Sequence, residues 1–184
     1  VDKAEKRGRA DVGRSESRYA DLLYDFRASE GLAQYPNANS TMRLTYGNVQ
    51  PLNPSDGVHY DSRSTIAGYM EKYNPDEYEY RVDDRMRRLI AKRDWGRWGE
   101  NGTLYVNFLT DNDITGGNSG SPVLDGRGRL IGLAFDGNRE SMAGDVWFHP
   151  DLARTVCVDI RYVMWIIDKY AEADWLLDEM KFEK

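Results

Sequence analysis

The sequence has one cysteine, two histidines and no apolar run near the roughly 18 residues of a membrane span. Cys157 alone excludes an internal disulfide framework. Positive charge is not in excess: 25 Lys and Arg face 31 Asp and Glu, a net charge of −6. Such a balance gives no general attraction for nucleic acid or an anionic membrane, so neither is expected as a partner. The opening VDKAEKRGRADVGR lacks the apolar stretch of a secretory signal, and the chain as given reads as water-soluble. No two histidines or cysteines have metal-ligand spacing, so neither metal nor cofactor is expected. What is present is 184 residues, 40% apolar, enough for one globular core.

Tyr19, Leu22, Leu23 and Phe26 share one helical face, and that helix is expected to end near Gly31 and Pro36. In MRLTYGNV, Met42, Leu44 and Tyr46 alternate with polar residues, the two-residue period of a half-buried strand. Helical stretches follow at Ile66 to Tyr73 and Asp83 to Trp95, and TLYVNFL reads as a strand. SPVLDGRGRLIGLAFD reads as a hairpin turning at Asp125 to Gly128. A further strand is expected at TVCV, 155 to 158. Asp159 then suits the N-cap of a final helix whose stripe is Ile160, Val163, Met164, Ile167, Tyr170 and Ala171.

Chemistry concentrates in Thr115-Gly116-Gly117-Asn118-Ser119-Gly120-Ser121-Pro122, a glycine-rich turn around one serine between a strand and a hairpin. A serine that attacks an amide must project from a tight turn, with backbone N–H groups converging where the oxyanion forms. Gly117 and Ser119 would supply those donors, while glycines at 116, 117 and 120 permit backbone shapes that a β-carbon forbids. An ordinary glycine-serine loop would carry the same letters. An α/β-hydrolase elbow is disfavoured because strand and turn, not helix, follow Ser119.

G-N-S-G-S-P followed by a hairpin resembles the nucleophile region of chymotrypsin-like serine peptidases, with Asn118 and Ser121 as departures that bacterial glutamyl endopeptidases share. NDITGGNSGSPVLDGRGRLIGLAFDGN, then DLARTVCVDIRYVMWIIDKYAEADWLLDEM, resembles the carboxyl-terminal end of the bacterial dipeptidyl-peptidase 7 and 11 family. MRLTYGNVQPL is similar to that family's re-entry from its helical domain. Arg139 stands where the resemblance expects an aromatic or apolar residue, and Glu172 where it expects glycine.

The resemblance implies a mainly β fold with flanking helices, the second β-barrel of a chymotrypsin-like double-barrel protease. Residues 1–35 would end a helical domain, and 36–184 would form the barrel, with a helical insertion at about 64–98 and a C-terminal helix at about 160–171. It implies a serine dipeptidyl-peptidase that takes oligopeptides, without a cofactor, in the periplasm or at the surface of a Gram-negative bacterium. It also implies a homodimer for the full-length enzyme. Ser119 would be the nucleophile and Gly117 part of the oxyanion hole. Phe135, Asp136 and Gly137 would bind substrate, Asp136 taking the free α-ammonium. Glycine at 137, where acid-preferring members carry arginine, implies an apolar or aromatic penultimate residue and the dipeptidyl-peptidase 7 branch.

His59 lies too near the serine to leave room for a first barrel, and His149 follows it, so both read as surface or pocket-rim residues. The base and its carboxylate would then lie outside this chain, leaving it inactive alone. Two rivals stay open: an endopeptidase related to glutamyl endopeptidases, which would cleave peptides with blocked amino ends, and a protease-like binding module indifferent to Ser119.

Other constellations fail on spacing. Asp111, Asp113, Thr115 and Gly116 imitate an EF-hand loop that ends on Pro122 instead of glutamate. Gly126, Gly128 and Gly132 lie between strands, not before a helix. Arg85, Arg87, Arg88, Lys92, Arg93 and Arg97 with Trp95 and Trp98 could form a basic aromatic face, although a solvated helix face explains them more simply. Asn39-Ser40-Thr41 and Asn101-Gly102-Thr103 fit glycosylation sequons, relevant only in a eukaryote.

Overall fold

A computed structural model describes residues 3–32, 40–142, 144 and 148–183. The chain divides into two compact units, Val1–Asn39 and Ser40–Lys184.

The first unit is helix α1, Lys3–Ser29. Its end has a physical cause in the sequence: Gly31 takes φ 68°, and the N–H groups of Gly31 and Leu32 bond the carbonyls of Ala28 and Arg27. This paired closure satisfies the last-turn acceptors and needs a residue that tolerates the left-handed region. Pro36 lies outside the described residues.

The second unit is built on an antiparallel sheet. Strands β1 (Leu52–Ser55) and β2 (Val58–Tyr60) form a two-stranded sheet. The main sheet contains β3 (Arg63–Thr65), β4 (Tyr105–Thr110), β5 (Pro122–Leu124), β6 (Leu130–Gly137) and β7 (Thr155–Asp159) in the order β3-β4-β7-β6-β5. Helices α2 (Ile66–Glu71) and α3 (Asp84–Lys92) lie between β3 and β4 in the chain. Helix α4 (Ile160–Trp165) follows β7 directly, continues as a π-helical turn at Ile166–Tyr170, and precedes the short α5, Asp174–Asp178.

Caps explain where these helices start. Thr65 accepts from the N–H of Ala67, Asp83 from Met86 and Asp159 from Arg161. Asp83 also accepts from the Tyr170 hydroxyl at 2.8 Å, and these bonds hold its carboxyl below the usual carboxylate range. Asp159 is buried and neutralised by Arg161, whose guanidinium bonds both its oxygens.

The core is aromatic. Ile66, Val82, Met86, Trp95, Trp98, Leu104, Met164 and Trp165 form one buried cluster, with Val163 and Ile167 packed against it. Each indole N–H that enters it finds an acceptor: Trp165 on the Asp94 carbonyl at 3.0 Å, Trp98 on Asp168 at 2.7 Å and Trp95 on the Gly102 carbonyl at 3.3 Å. The basic aromatic face therefore does not form. Trp95 and Trp98 are interior, Arg97 lies over the Trp98 and Phe182 rings, and Arg85 pairs with Glu172 at 2.7 Å.

The strand expected over MRLTYGNV is also corrected. Residues 41–48 form no strand, and Met42, Leu44 and Tyr46 are 96%, 87% and 89% exposed. Alternation only assigns side chains to faces; a strand also needs a neighbour for its N–H and C=O groups. Pairing begins at Val49, which bridges to Thr110. Glu172 adopts φ 52°, the left-handed region where glycine is at ease, which accounts for the glycine expected at that position. Among the described residues, no helix is long and apolar enough to cross a membrane.

Candidate active site

The Ser119 loop leaves β4, turns, and enters β5. Asn118 N–H bonds the Thr115 carbonyl at 3.2 Å, and Ser121 N–H bonds the Asn118 carbonyl at 2.9 Å. Gly120 N–H reaches across to the Ala134 carbonyl at 2.7 Å, and Ala134 N–H returns a bond to the Ser121 carbonyl. The loop is thus fastened to β6 just after the serine. Among the described residues, the N–H groups of Gly117 and Ser119 have no backbone acceptor, while those of 118, 120 and 121 do. That alternation leaves two amides available to an outside oxygen.

Glycine is required at 117 and 120, whose φ angles are 95° and 81°. Gly116 is a correction: it has no positive φ, and a β-carbon there would meet nothing within 4 Å.

Strand β6 supplies the opposite wall. Ala134 pairs with Cys157, but Asp136 pairs with Val156, so the ladder carries one extra residue at Phe135. Without this bulge, Asp136 would share the buried face of Gly132 and Ala134; with it, both Phe135 and Asp136 are exposed. The Ser119 hydroxyl lies 3.4 Å from the Phe135 carbonyl, and Asp136 Oδ1 accepts from Gly137 N–H at 2.8 Å.

A cleft of about 230 Å3 opens here, lined by residues that include Ser119, Asp136, Gly137, Ser141, Met142 and Phe148. Three residues singled out in the sequence, Ser119, Asp136 and Gly137, therefore meet around one space. Gly117 and Phe135 flank it without lining it. His59 and His149 are not part of the lining; His59 bonds Asn53 at 2.7 Å and lies 3.3 Å from Asp61. Arg139 begins a short 3-10 turn, Arg139–Ser141, and is exposed away from the lining. Among the described residues, no group of three or more His, Cys, Asp or Glu could hold a metal ion.

Sequence reasoning missed two side chains. Asn138 ties the far wall together: its amide donates to the Leu152 carbonyl at 2.8 Å and to Glu140 at 2.7 Å, and its Oδ1 accepts from Arg154 N–H at 2.7 Å. Its place in the FDGN stretch was the available signal. Arg43, distant in sequence, donates to Asn118 Oδ1 at 3.0 Å, a contact no local pattern announces. Arg154 is buried in the same wall, its donors spent on the carbonyls of Pro51, Pro150 and Ala153.

Comparison with known proteins shows what the chain is similar to. The chain is 53% identical over 146 residues to dipeptidyl-peptidase 7 of Phocaeicola vulgatus, covering 79% of this chain and 20% of that protein. It is 48% identical over 151 residues to an Asp/Glu-specific dipeptidyl-peptidase of Capnocytophaga gingivalis, covering 82% of this chain and 21% of that protein. A crystal structure of Porphyromonas endodontalis DPP11 in complex with dipeptide Arg-Glu superposes with a TM-score of 0.78 at 42% identity, covering 88% of this chain and 23% of that one. The chain thus spans about a fifth of the length of the curated relatives it matches. The peptidase S46 family model matches residues 1–182, and the chain belongs to that family.

Proposed function

We propose that this chain is the nucleophile-bearing part of a serine dipeptidyl-peptidase that removes dipeptides from the free amino end of oligopeptides. The observation that carries the reading is the single cleft shared by Ser119, Asp136 and Gly137. Relatives named as dipeptidyl-peptidases, and a homologue crystallised with a dipeptide, support the substrate class.

The chemistry is acyl transfer. Ser119 Oγ attacks the carbonyl carbon of the substrate's second residue, and a histidine takes its proton. The oxyanion rests on the Gly117 and Ser119 amides. Collapse expels the shortened peptide as an amine protonated by that histidine, and water then hydrolyses the dipeptidyl ester. Neither His59 nor His149 lines the cleft, so the histidine and its carboxylate come from polypeptide outside this chain, and the chain alone is inactive. Asp136 pairs with the substrate's α-ammonium, which restricts cleavage to a free amino end.

Relatives named dipeptidyl-peptidase 7 and relatives named Asp/Glu-specific dipeptidyl-peptidase are similar to the chain to nearly the same degree, so overall likeness does not select a preference. Gly137 supports an apolar or aromatic penultimate residue, because it adds no charge to the cleft and leaves binding to burial. By resemblance, the full-length enzyme would act in the periplasm or at the surface of a Gram-negative bacterium, as a homodimer.

The test is hydrolysis, by the full-length protein that carries this sequence, of free-amine dipeptidyl reporters ending in Phe and in Glu. The Phe reporter should be released faster, and Ser119→Ala should abolish release. Activity indifferent to Ser119 would leave only a protease-like binding module, and faster release of the Glu reporter would refute the preference.

A further inference from the structure

We infer that Arg43 is a positioning residue for the proposed oxyanion hole, acting through the Asn118 side chain; this rests on Ser119 being the nucleophile. The loop has two anchors of different kinds. After the serine, the Gly120 and Ala134 N–H bonds weld it to β6. Before the serine, Asn118 Oδ1 gathers two donors, the Thr115 N–H at 3.1 Å and the Arg43 guanidinium at 3.0 Å. Gly117 lies between Thr115 and Asn118, so the direction of its N–H depends on this second anchor. A loop glycine with φ 95° has few restraints of its own, and it is held by what brackets it.

Arg43 is itself delivered with care. Asn48 N–H donates to Asp111 Oδ1, Asp111 N–H donates to the Asn48 carbonyl at 3.1 Å, and Gln50 N–H to the Leu109 carbonyl at 3.1 Å. A β-carbon at Gly47 would overlap Asp111 Oδ1 and crowd the Asn112 amide, so residue 47 must be glycine for the segment to lie against the end of β4. Residues 47–50 are therefore clamped to the strand that leads into the Ser119 loop, and Arg43, four residues before that clamp, reaches Asn118. Asn118 is half-buried, where a hydrogen bond from a charged donor is worth more than in water. An aspartate at 118 would make an ion pair with Arg43; the asparagine keeps the bond without placing a negative charge beside a developing oxyanion.

The experiment measures Arg43→Met, Arg43→Lys and Asn118→Ala in the full-length protein, with the free-amine Phe reporter and with a fluorophosphonate. In the labelling step, a serine oxygen forms an O–P bond, fluoride leaves and the hydroxyl proton is lost. Arg43→Met should lower kcat about tenfold or more while KM changes less than about twofold, because a displaced oxyanion donor acts on the transition state. Labelling of Ser119 should slow in parallel, Arg43→Lys should recover most of the loss, and Arg43→Met combined with Asn118→Ala should be little worse than Asn118→Ala alone. Wild-type kcat and labelling in Arg43→Met would overturn the inference, as would a loss that is fully additive with Asn118→Ala. If Arg43→Met does not fold, Arg43→Lys and the labelling rate of Asn118→Ala decide between the same outcomes. Failure of the unaltered protein to label at Ser119 would instead refute the nucleophile assignment, and the inference with it.

Discussion

The tryptophan core and the Ser119 cleft are held together by different forces. Around Trp165, which is fully buried, burial of large rings sets position, and the few polar bonds satisfy indole N–H groups. Around Ser119, little apolar surface is buried; positions are set by backbone bonds to β6, by the bulge at Phe135 and by the asparagines 118 and 138. The core therefore controls whether the unit folds, while the cleft controls what it does. Changes in one region should be nearly silent in the other.

The sharpest separation is expected from Ser119→Ala. Activity of the full-length enzyme should fall by about 10⁴-fold or more, with Tm unchanged, because the exposed hydroxyl contributes only a 3.4 Å contact to the fold. Trp165→Ala should do the converse, costing about 3–5 kcal/mol in denaturant unfolding while the material that remains folded keeps the Phe-to-Glu reporter ratio of the unaltered enzyme. A comparable loss of stability from both changes would erase the distinction between the regions.

Gly137→Arg probes the cleft wall. A β-carbon there would approach Ser141 Oγ to 2.5 Å, so the serine must rotate, and Gly137→Arg combined with Ser141→Gly should be better tolerated than the single change. Either should shift reporter preference from Phe toward Glu by about tenfold or more through charge pairing. An unchanged ratio would remove Gly137 from the specificity site.

Titration should separate the regions more gently. Burial pushes the Cys157 thiol up to about 11 from 9.0. A raised acid pKa contributes stability that is complete below pH 9 and is lost as pH rises toward 11, and a thiol reagent at pH 8 should react only as the unit unfolds. At the exposed hairpin, the Arg129 guanidinium and the backbone N–H groups of Arg129 and Arg127 hold Asp125 at about 2, below its usual 3.8. That contribution is present above pH 4 and fades as pH falls to 2, so amide exchange at Arg127 and Arg129 should quicken in that window without global unfolding. The smallest effect expected is from Glu172→Gly, a gain of at most about 1 kcal/mol, since relief of φ 52° is offset by loss of the pair with Arg85.

The sequence reveals most where neighbours in the chain are also neighbours in space. The hairpin of β5 and β6, the start of α3 beside Asp83, the N-cap at Asp159 and the serine loop could be read because each is local. Residues 41–46 alternate apolar with polar, yet they form no strand in this unit, because strand formation depends on a neighbouring strand that alternation does not specify. The bulge at Phe135 was hidden for a related reason: register is a property of two strands, and only the pairing with β7 shows the extra residue that turns Asp136 outward. Arg43 and Asn138 were missed because their partners are carbonyls and amides brought near by the fold. Trp95 and Trp98 were assigned to the surface because the basic residues around them dominate the local pattern, whereas their burial follows from α4 packing against them.

The claim most open to direct attack is that Asp136 reads the free amino end beside Ser119. The deciding measurement is the ratio of kcat/KM for a free-amine Phe reporter to that for its amino-blocked twin, in the full-length enzyme and in Asp136→Asn, a change that preserves the bond from Gly137 N–H. Expected is a ratio of about a hundredfold or more, falling by about 10- to 100-fold in Asp136→Asn, with Phe still preferred over Glu. Equal cleavage of the two reporters by the unaltered enzyme would contradict it and make the protein an endopeptidase.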